Sequence, residues 1–506
     1  MINKVFLKYS LIYAILGLVV NSCNINTTSK SKWSPTSLHI EIKSEGLKKL
    51  KSKRNKALKN GILITEKDSW VKGKILESKN SKEKKIKLRL KGDWLDHLKE
   101  DKWSFRVKVR DSKKWNNLSV FSLQDPKTRS YLKEWVLHQW FKKENILTTK
   151  YDFINLQIND SSKGLYVFEE HFDKTILDRY QRTTGPIMKF TENGLWEMRK
   201  DRLKKGIKRG DDYEYLRVNT DIKPFQEKSI LKSENLSEYY IEGQQLMFDY
   251  MHGNKPLKEI FDLNILAKYY AIVDLTRGYH GVFWHNQRFY YNPESKKLEP
   301  IGFDGYDDID SEVIAAPYIG FNLGQEVDEN DLLFSNVFKD YEFVECYINY
   351  LTQFCEKEYI NSFLSSLEKD LTDRKEYIQS LKKDYKFNCD YIYYNSKKIA
   401  LAIQPNSSVI QTRKVDSNTI AICNRHCTAI KIIGEAEKED KKYQLFKNPI
   451  IISCTKNTHL PDFSKKLEIL EKSKYLVYEV LGIDSLYFAE INPWPQPEFP
   501  NLKNKN

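Results

Sequence analysis

His285-Asn286 and, beyond an intervening apolar stretch, Phe303-Asp304-Gly305 are the residues of this 506-residue chain whose types and spacing suit chemistry best. A magnesium ion bridging phosphates takes hard oxygen ligands in a nearly octahedral shell, and the protein contributes only one or two of them. The amide oxygen of Asn286 and the carboxylate of Asp304 supply such a pair if the chain between them folds back on itself. Arg288-Phe289-Tyr290-Tyr291 and Leu298-Glu299-Pro300-Ile301-Gly302-Phe303 read as strands, with turn residues Asn292-Pro293-Glu294-Ser295-Lys296 between them. The predicted hairpin delivers two oxygens from its two ends. The chemistry that needs them is phosphoryl transfer, where positioning and charge stabilisation dominate. Asp307, Asp308 and Asp310 follow closely; they hold a second cation such as Ca2+, or they form an acidic solvated loop.

Several elements must position these groups. Trp103-Ser104-Phe105-Arg106-Val107-Lys108-Val109-Arg110 alternates strictly, which predicts a strand with one apolar and one basic face, and Ile86 to Leu90 alternates in the same way. Ser130 to Glu144 has helical spacing, with Leu132, Trp135, Val136, Gln139 and Trp140 on one side. Phe153 to Ile158 and Gly164 to Phe168 form a second hairpin around residues 159–163. Leu263 to Thr276 is an amphipathic helix that stops near Gly278. Residues 337–383 contain no Gly or Pro and read as helical. Past residue 400, short apolar runs separated by Asn, Ser, Lys and Pro predict a small all-β module.

These blocks, in this order, resemble the spore-coat protein H (CotH-like) family of atypical kinases. Leu88-Arg89-Leu90-Lys91-Gly92 with Lys102 to Lys108 is similar to that family's paired basic strands. Gly164-Leu165-Tyr166-Val167-Phe168-Glu169-Glu170-His171-Phe172-Asp173-Lys174 is similar to its next block, and Ile187-Met188-Lys189-Phe190 to the strand after it. Trp284-His285-Asn286-Gln287-Arg288-Phe289-Tyr290-Tyr291 and Pro300-Ile301-Gly302-Phe303-Asp304 complete the series, over roughly residues 38–400. The resemblance implies an α+β, two-lobed, atypical protein-kinase-like domain that binds ATP with Mg2+ or Mn2+ and phosphorylates protein side chains. It implies Asn286 and Asp304 as metal ligands. It implies Arg106 or Lys108 on the phosphates, with Lys189 as a rival, and Glu170 as the carboxylate orienting the phosphate-binding cation. The basic strand face is equally consistent with a plain exposed sheet surface. The family and protein kinases carry a catalytic Asp five residues before the Asn, and here that position is Gly281. His280 beside it either substitutes as the base, since imidazole titrates near neutrality, or orients a different acceptor.

At the N-terminus Lys4 and Lys8 precede an apolar run, Leu11 to Val20, shorter than the ~20 residues a spanning helix needs. Val20-Asn21-Ser22-Cys23 and the polar residues after it resemble a bacterial lipoprotein processing site, with Cys23 as the acylated residue; a plain signal peptide or an uncleaved anchor is the alternative. The expected organisation is a signal over 1–22, a tether over 23–36, a kinase-like domain over 37–400 and a β-rich, sandwich-like module over 401–506. The two lobes meet near 190. Export places everything past Cys23 in the cell envelope, on the periplasmic face or cell surface, where ATP is scarce. A formal charge of +14 is spread along the chain and no nucleic-acid module is recognisable. Cys346, Cys355, Cys389, Cys423, Cys427 and Cys454 do not have zinc-site spacing and read as buried thiols or one disulfide.

Two functions remain open on these grounds. One is a metal-dependent phosphotransferase acting on a protein or glycan hydroxyl. The other is a kinase-shaped binding or structural lipoprotein without turnover.

Overall fold

The computed structural model describes residues 33–76, 83–92, 95–98, 100–111, 113–207, 220–306, 337–405, 409–426, 428–439, 442–453 and 463–492. Cys23, Asp307, Asp308, Asp310, Cys427 and Cys454 lie outside the described residues, and so do the signal and nearly all of the tether. The protein is a mixture of helices and sheets. Two compact units contain it. One joins Trp33 and Ser34 to Glu368–Lys386, where Arg374 lies over the Trp33 ring at 4.7 Å and Tyr377 meets that ring edge-on. The other holds Pro35–Leu367 and Phe387–Asn506.

The second unit opens with β1 (Thr36–Ile42), α1 (Ser44–Asn60), β2 (Val71–Leu76), β3 (Lys84–Leu90), β4 (Phe105–Val109) and β5 (Val120–Gln124). A 3-10 turn, Pro126–Arg129, leads into α2 (Leu132–Lys143), then β6 (Leu147–Thr148), β7 (Tyr151–Ile158) and β8 (Ser161–Glu170). Strands β1, β2, β3, β4, β5, β8 and β7 close into a barrel, with β1 parallel to β7 at the seam. The alternation expected of β3 and β4 is present. Ile86, Leu88, Leu90, Phe105, Val107 and Val109 point into the core, while Lys85, Lys87 and Lys108 face water. Burying each such aliphatic or aromatic side chain stabilises the barrel by about 1.5–3 kcal/mol. The β7–β8 turn is tighter than expected, with Ile158 directly opposite Ser161. Its Asn159 has φ +51° and clasps β1, accepting the Ile42 N–H at 2.8 Å and donating to the Ile42 carbonyl at 3.0 Å. That clasp fastens the seam.

After the barrel come α3 (Lys174–Arg179), β9 (Ile187–Phe190), α4 (Asn193–Lys204), β10 (Ile222–Pro224), α5 (Glu234–His252), α6 (Leu263–Thr276), β11 (Arg288–Asn292) and β12 (Lys297–Gly302). A five-stranded sheet orders them β10-β9-β11-β12-β6. The β11–β12 hairpin pairs Asn292 with Lys297, as the turn residues require. Helix α6 has the expected limits, but it is buried nearly all round, from Leu266 and Ala267 through Tyr269 to Thr276. It is a central helix and not an amphipathic surface one. Helices α7 (Tyr341–Cys355), α8 (Lys357–Leu381) and α9 (Asp390–Ile403) follow. The helical stretch after residue 337 is broken at Glu356, which adopts an extended conformation with ψ 130°.

The last strands are β13 (Ile410–Lys414), β14 (Thr419–Asn424), β15 (Ile430–Ala436), β16 (Gln444–Ile452), β17 (Lys465–Glu468), β18 (Tyr475–Val480) and β19 (Leu486–Glu490). They form a three-stranded sheet, β13-β14-β17, and a four-stranded sheet, β16-β15-β18-β19. Ile420 and Leu467 from the first pack in one cluster with Ile432 and Tyr478 from the second. Cys346, Cys355, Cys389 and Cys423 are free thiols, so among the described residues there is no disulfide.

Candidate active site

The β12 strand ends at Gly302, and Asp304 follows with φ +55°, a left-handed conformation uncommon for a residue with a side chain. Both flanks of this residue are fixed by α2 and the strand after it. The Thr148 hydroxyl on β6 donates to the Gly302 carbonyl at 2.6 Å. On the other flank the N–H groups of Gly305 and Tyr306 donate to one oxygen of Glu134, at 3.0 and 3.1 Å. Glu134 is fully buried and also bonds His138 Nε2 at 2.9 Å. The other nitrogen of His138 faces the Thr149 carbonyl at 3.0 Å. Sequence spacing placed Glu134 and His138 off the apolar face of α2, yet this helix too is buried almost all round.

The Asp304 side chain is itself buried, which alone would raise its pKa. The Arg129 guanidinium on one carboxylate oxygen and His280 beside the other outweigh that, and the carboxyl stays well below its usual range. Arg129 belongs to the 3-10 turn before α2, which Asp125 caps by accepting the Lys127 N–H at 3.1 Å. Ser130 and Tyr131, just after it, have φ +52° and +51°, so this turn is a second strained segment against the first.

Opposite lies the loop between α6 and β11. It makes one 3-10 turn, Tyr279–Val282, and Gln287 braces it by donating to the Val282 carbonyl at 2.7 Å. His280 is hydrogen-bonded to the Asp304 segment twice: its N–H reaches the Gly305 carbonyl at 3.0 Å, and Nδ1 the Asp304 carbonyl at 2.9 Å. Nδ1 also lies 3.3 Å from the Asp304 carboxylate. Asn286 donates to the His280 carbonyl at 2.8 Å, and its nitrogen stands 3.2 Å from His280 Nδ1. Asn286 and Asp304 therefore meet across a single imidazole, no more than two hydrogen-bond lengths apart. Burial disfavours a charged His280, but the Asp304 bond and charge prevail and its pKa is raised. The ring is tied through Nδ1 to both the carbonyl and the carboxylate of Asp304. His285 is buried and flanked by the charges of His280 and Arg288, and its pKa falls to about 3.

A third group approaches from the barrel. Lys91, just past the end of β3, donates to Gln124 at 2.9 Å and to Glu169 at 3.1 Å, and it lies close enough to Asp304 and Arg129 for their charges to act on it. Arg106 reaches His171 Nδ1 at 2.7 Å. Lys189 lies over Phe225 at 5.4 Å and Arg288 over Phe303 at 5.2 Å, and the charges of Arg106, Lys189, Lys91 and Arg288 all bear on His171. The structure thus gathers Arg106, Lys189, Lys91 and Arg288 around His171. Lys108 is exposed on β4, and no described ion pair includes it. Glu170 corrects the expectation for a cation-orienting carboxylate. It pairs with Arg179 at 2.6 Å and accepts the Lys150 N–H, whereas its neighbour Glu169 holds the lysine. One step along a strand turns a side chain to the opposite face, and this is that step. Lys91, Glu169, Arg129 and Arg288 were missed; Lys91 had its signal in the Leu-Lys-Gly block already singled out.

As a metal donor set, Asn286 and Asp304 suit Mg2+ in type, one amide and one ionised carboxylate oxygen. The amide nitrogen of Asn286 is engaged by His280. Among the described residues no cluster of three His, Cys, Asp or Glu side chains is arranged to hold a metal.

Gly281 sits where a catalytic carboxylate is expected, and a Cβ there would come within 2.7 Å of the Phe303 carbonyl oxygen. Gly281→Ala should destabilise the protein by about 1–3 kcal/mol, and Gly281→Asp by no less, because backbone has to move to admit the side chain. Calorimetry checks this; an unchanged melting temperature for the alanine variant would show that the loop has room. The protein should also lose stability in acid. His97 is buried and His171 half-buried, both near cations, and both have pKa values well below the ordinary 6.5. Below about pH 6.5 the unfolded chain takes up protons that the folded one refuses, at about 1.4 kcal/mol per pH unit for each histidine. Urea unfolding at pH 7.5, 6.5 and 5.5 measures it, and His171→Gln should flatten the slope.

The CotH kinase protein family model matches residues 88–397. A comparison with curated proteins finds no match. Among solved structures, the crystal structure of a Helicobacter pylori proinflammatory kinase, CtkA, is similar over 58% of this chain and 95% of that chain, at 10% identity and a TM-score of 0.23. With the family model spanning more than half of its length, the chain belongs to the CotH kinase protein family.

Proposed function

We propose that this protein is an exported lipoprotein whose two-lobed kinase-like domain, about residues 37–400, binds ATP with Mg2+ or Mn2+ and transfers its terminal phosphoryl group to a protein or glycan hydroxyl at the cell envelope. A β-rich module over 401–506 follows this domain. The observation that carries the reading is the meeting of Asn286 and Asp304 across His280, with the Lys91–Glu169 ion pair facing them. A kinase site needs this combination: two oxygen ligands for the metal, and a lysine held by a carboxylate for the phosphates. Arg106, Lys189 and Arg288 add positive charge around the same place, as a polyphosphate requires. A bound divalent ion would offset phosphate charge there. This chain's own residues would orient the donor through Lys91 and keep Asp304 ionised through Arg129.

A second reading has its own observation. Gly281 provides no carboxylate, and His280 is committed to Asp304, so the acceptor hydroxyl lacks a ready base. General-base help is worth about 10²–10⁴-fold, so transfer is slow, or the site binds nucleotide without turning it over. The full-length protein incubated with γ-labelled ATP and Mg2+ or Mn2+ decides between them. Label on the protein or an envelope acceptor that disappears in Asp304→Asn supports transfer. Nucleotide binding without label supports the binding protein, and label that persists in Asp304→Asn rejects the metal site. Cys23→Ser should move the protein out of the membrane fraction.

A further inference from the structure

Glu134 is the most thoroughly enclosed carboxylate near the site. It is fully buried, and no hydrogen bond joins it to Asn286 or to the Asp304 side chain among those the structure shows. Its hydrogen bonds go to main chain and to one histidine: one oxygen takes the N–H groups of both Gly305 and Tyr306 at 3.0 and 3.1 Å, and the other takes His138 Nε2 at 2.9 Å. His138 in turn holds the strand on the other side, at the Thr149 carbonyl and at the Thr148 hydroxyl, which itself donates to Gly302. One helical turn of α2 thus grips the chain immediately before and immediately after Phe303-Asp304. Asp304, held between these gripped residues, has φ +55°, a left-handed conformation uncommon for residues other than glycine. Amide bonds to a charged acceptor are about twice as strong as those to a neutral one, so a carboxylate is the side chain suited to hold a strained backbone.

We propose that Glu134 is a positioning residue, which sets the direction of the Asp304 carboxylate by clamping the N–H groups of Gly305 and Tyr306. It acts through the backbone and touches no reactant. Its role in metal binding rests on the reading of Asp304 as a ligand, but the clamp itself does not. His138 completes the device by tying the clamp to β6, so that β12, which enters the site, and the Gly305–Tyr306 segment after it move together with α2.

The test uses the full chain with Glu134→Gln, which keeps the side chain's size and removes its charge, and Glu134→Met, which removes the acceptor altogether. Two readouts are taken. Hydrogen exchange at the peptide covering Gly305 and Tyr306 should accelerate several-fold in Glu134→Gln and further in Glu134→Met, with barrel and C-terminal peptides unchanged. Electron paramagnetic resonance of Mn2+ with ADP should show several-fold weaker Mn2+ binding in both variants, while metal-free ADP binds as to the unaltered protein. A purely structural role would lower both affinities together with the melting temperature. Unchanged exchange at Gly305 and Tyr306 in Glu134→Gln overturns the clamp, even if Glu134→Met fails to fold. Faster exchange with unaltered Mn2+ binding confines the clamp to the backbone and overturns its positioning role. If the unaltered protein itself binds no Mn2+ with ADP, the kinase-like reading falls, and exchange alone still decides the clamp.

Discussion

Asp304 combines two unfavourable conditions: a carboxylate shielded from water and a backbone in the left-handed region. Either is tolerated only where surrounding groups compensate for it. The side chain is compensated by Arg129 and His280, and the main chain by Glu134. Arg129 and Glu134 come from one short segment, the turn before α2 and its first residues, and the charge of Glu134 acts on Arg129 as well. Removing any one of these groups leaves the buried charge or the left-handed turn with less to compensate it. The conformation at the end of β12 is therefore a property of α2 as much as of its own residues.

The same arrangement bears on chemistry. A carboxylate neutralised by a guanidinium attracts a divalent ion less than a bare one would, since the ion has to share Asp304 with Arg129. On the proposed reading, the phosphates of a bound nucleotide would supply negative charge next to Lys91 and Arg129, which lie beside Glu169 and Asp304. The metal and the nucleotide are then expected to bind as one unit. Neither partner alone satisfies the site's charges.

Much of this was legible from residues alone. Period-two alternation exposed β3 and β4, because their inner faces are purely aliphatic or aromatic and their outer faces carry lysine. The β11–β12 hairpin was marked by its Asn-Pro turn, and with it the pairing of Asn286 and Asp304. Other features were hidden for physical reasons. Helix α1 is so rich in lysine that its few buried residues, Leu50 and Ala57, give little periodic signal. Spacing located α2 and α6 but not their burial on nearly all sides, since the residues off their apolar faces are covered by other elements. The choice of Glu169 over Glu170 turns on the face of a strand, and adjacent identical residues cannot reveal it. Arg129 and Lys91 act across long sequence separations, which local pattern does not report. The break at Glu356 has no Gly or Pro to announce it, and we have no physical account of its position.

The seam between β1 and β7 has a consequence for the making of this chain. A ribosome releases β1 well before β7, so the first strand waits with one edge open while everything up to Ile158 is still being assembled. At ~5–20 residues per second that interval lasts on the order of several seconds, long enough for an open edge to find a wrong neighbour. Closing the ring also links residues far apart in sequence, which slows folding relative to local hairpins.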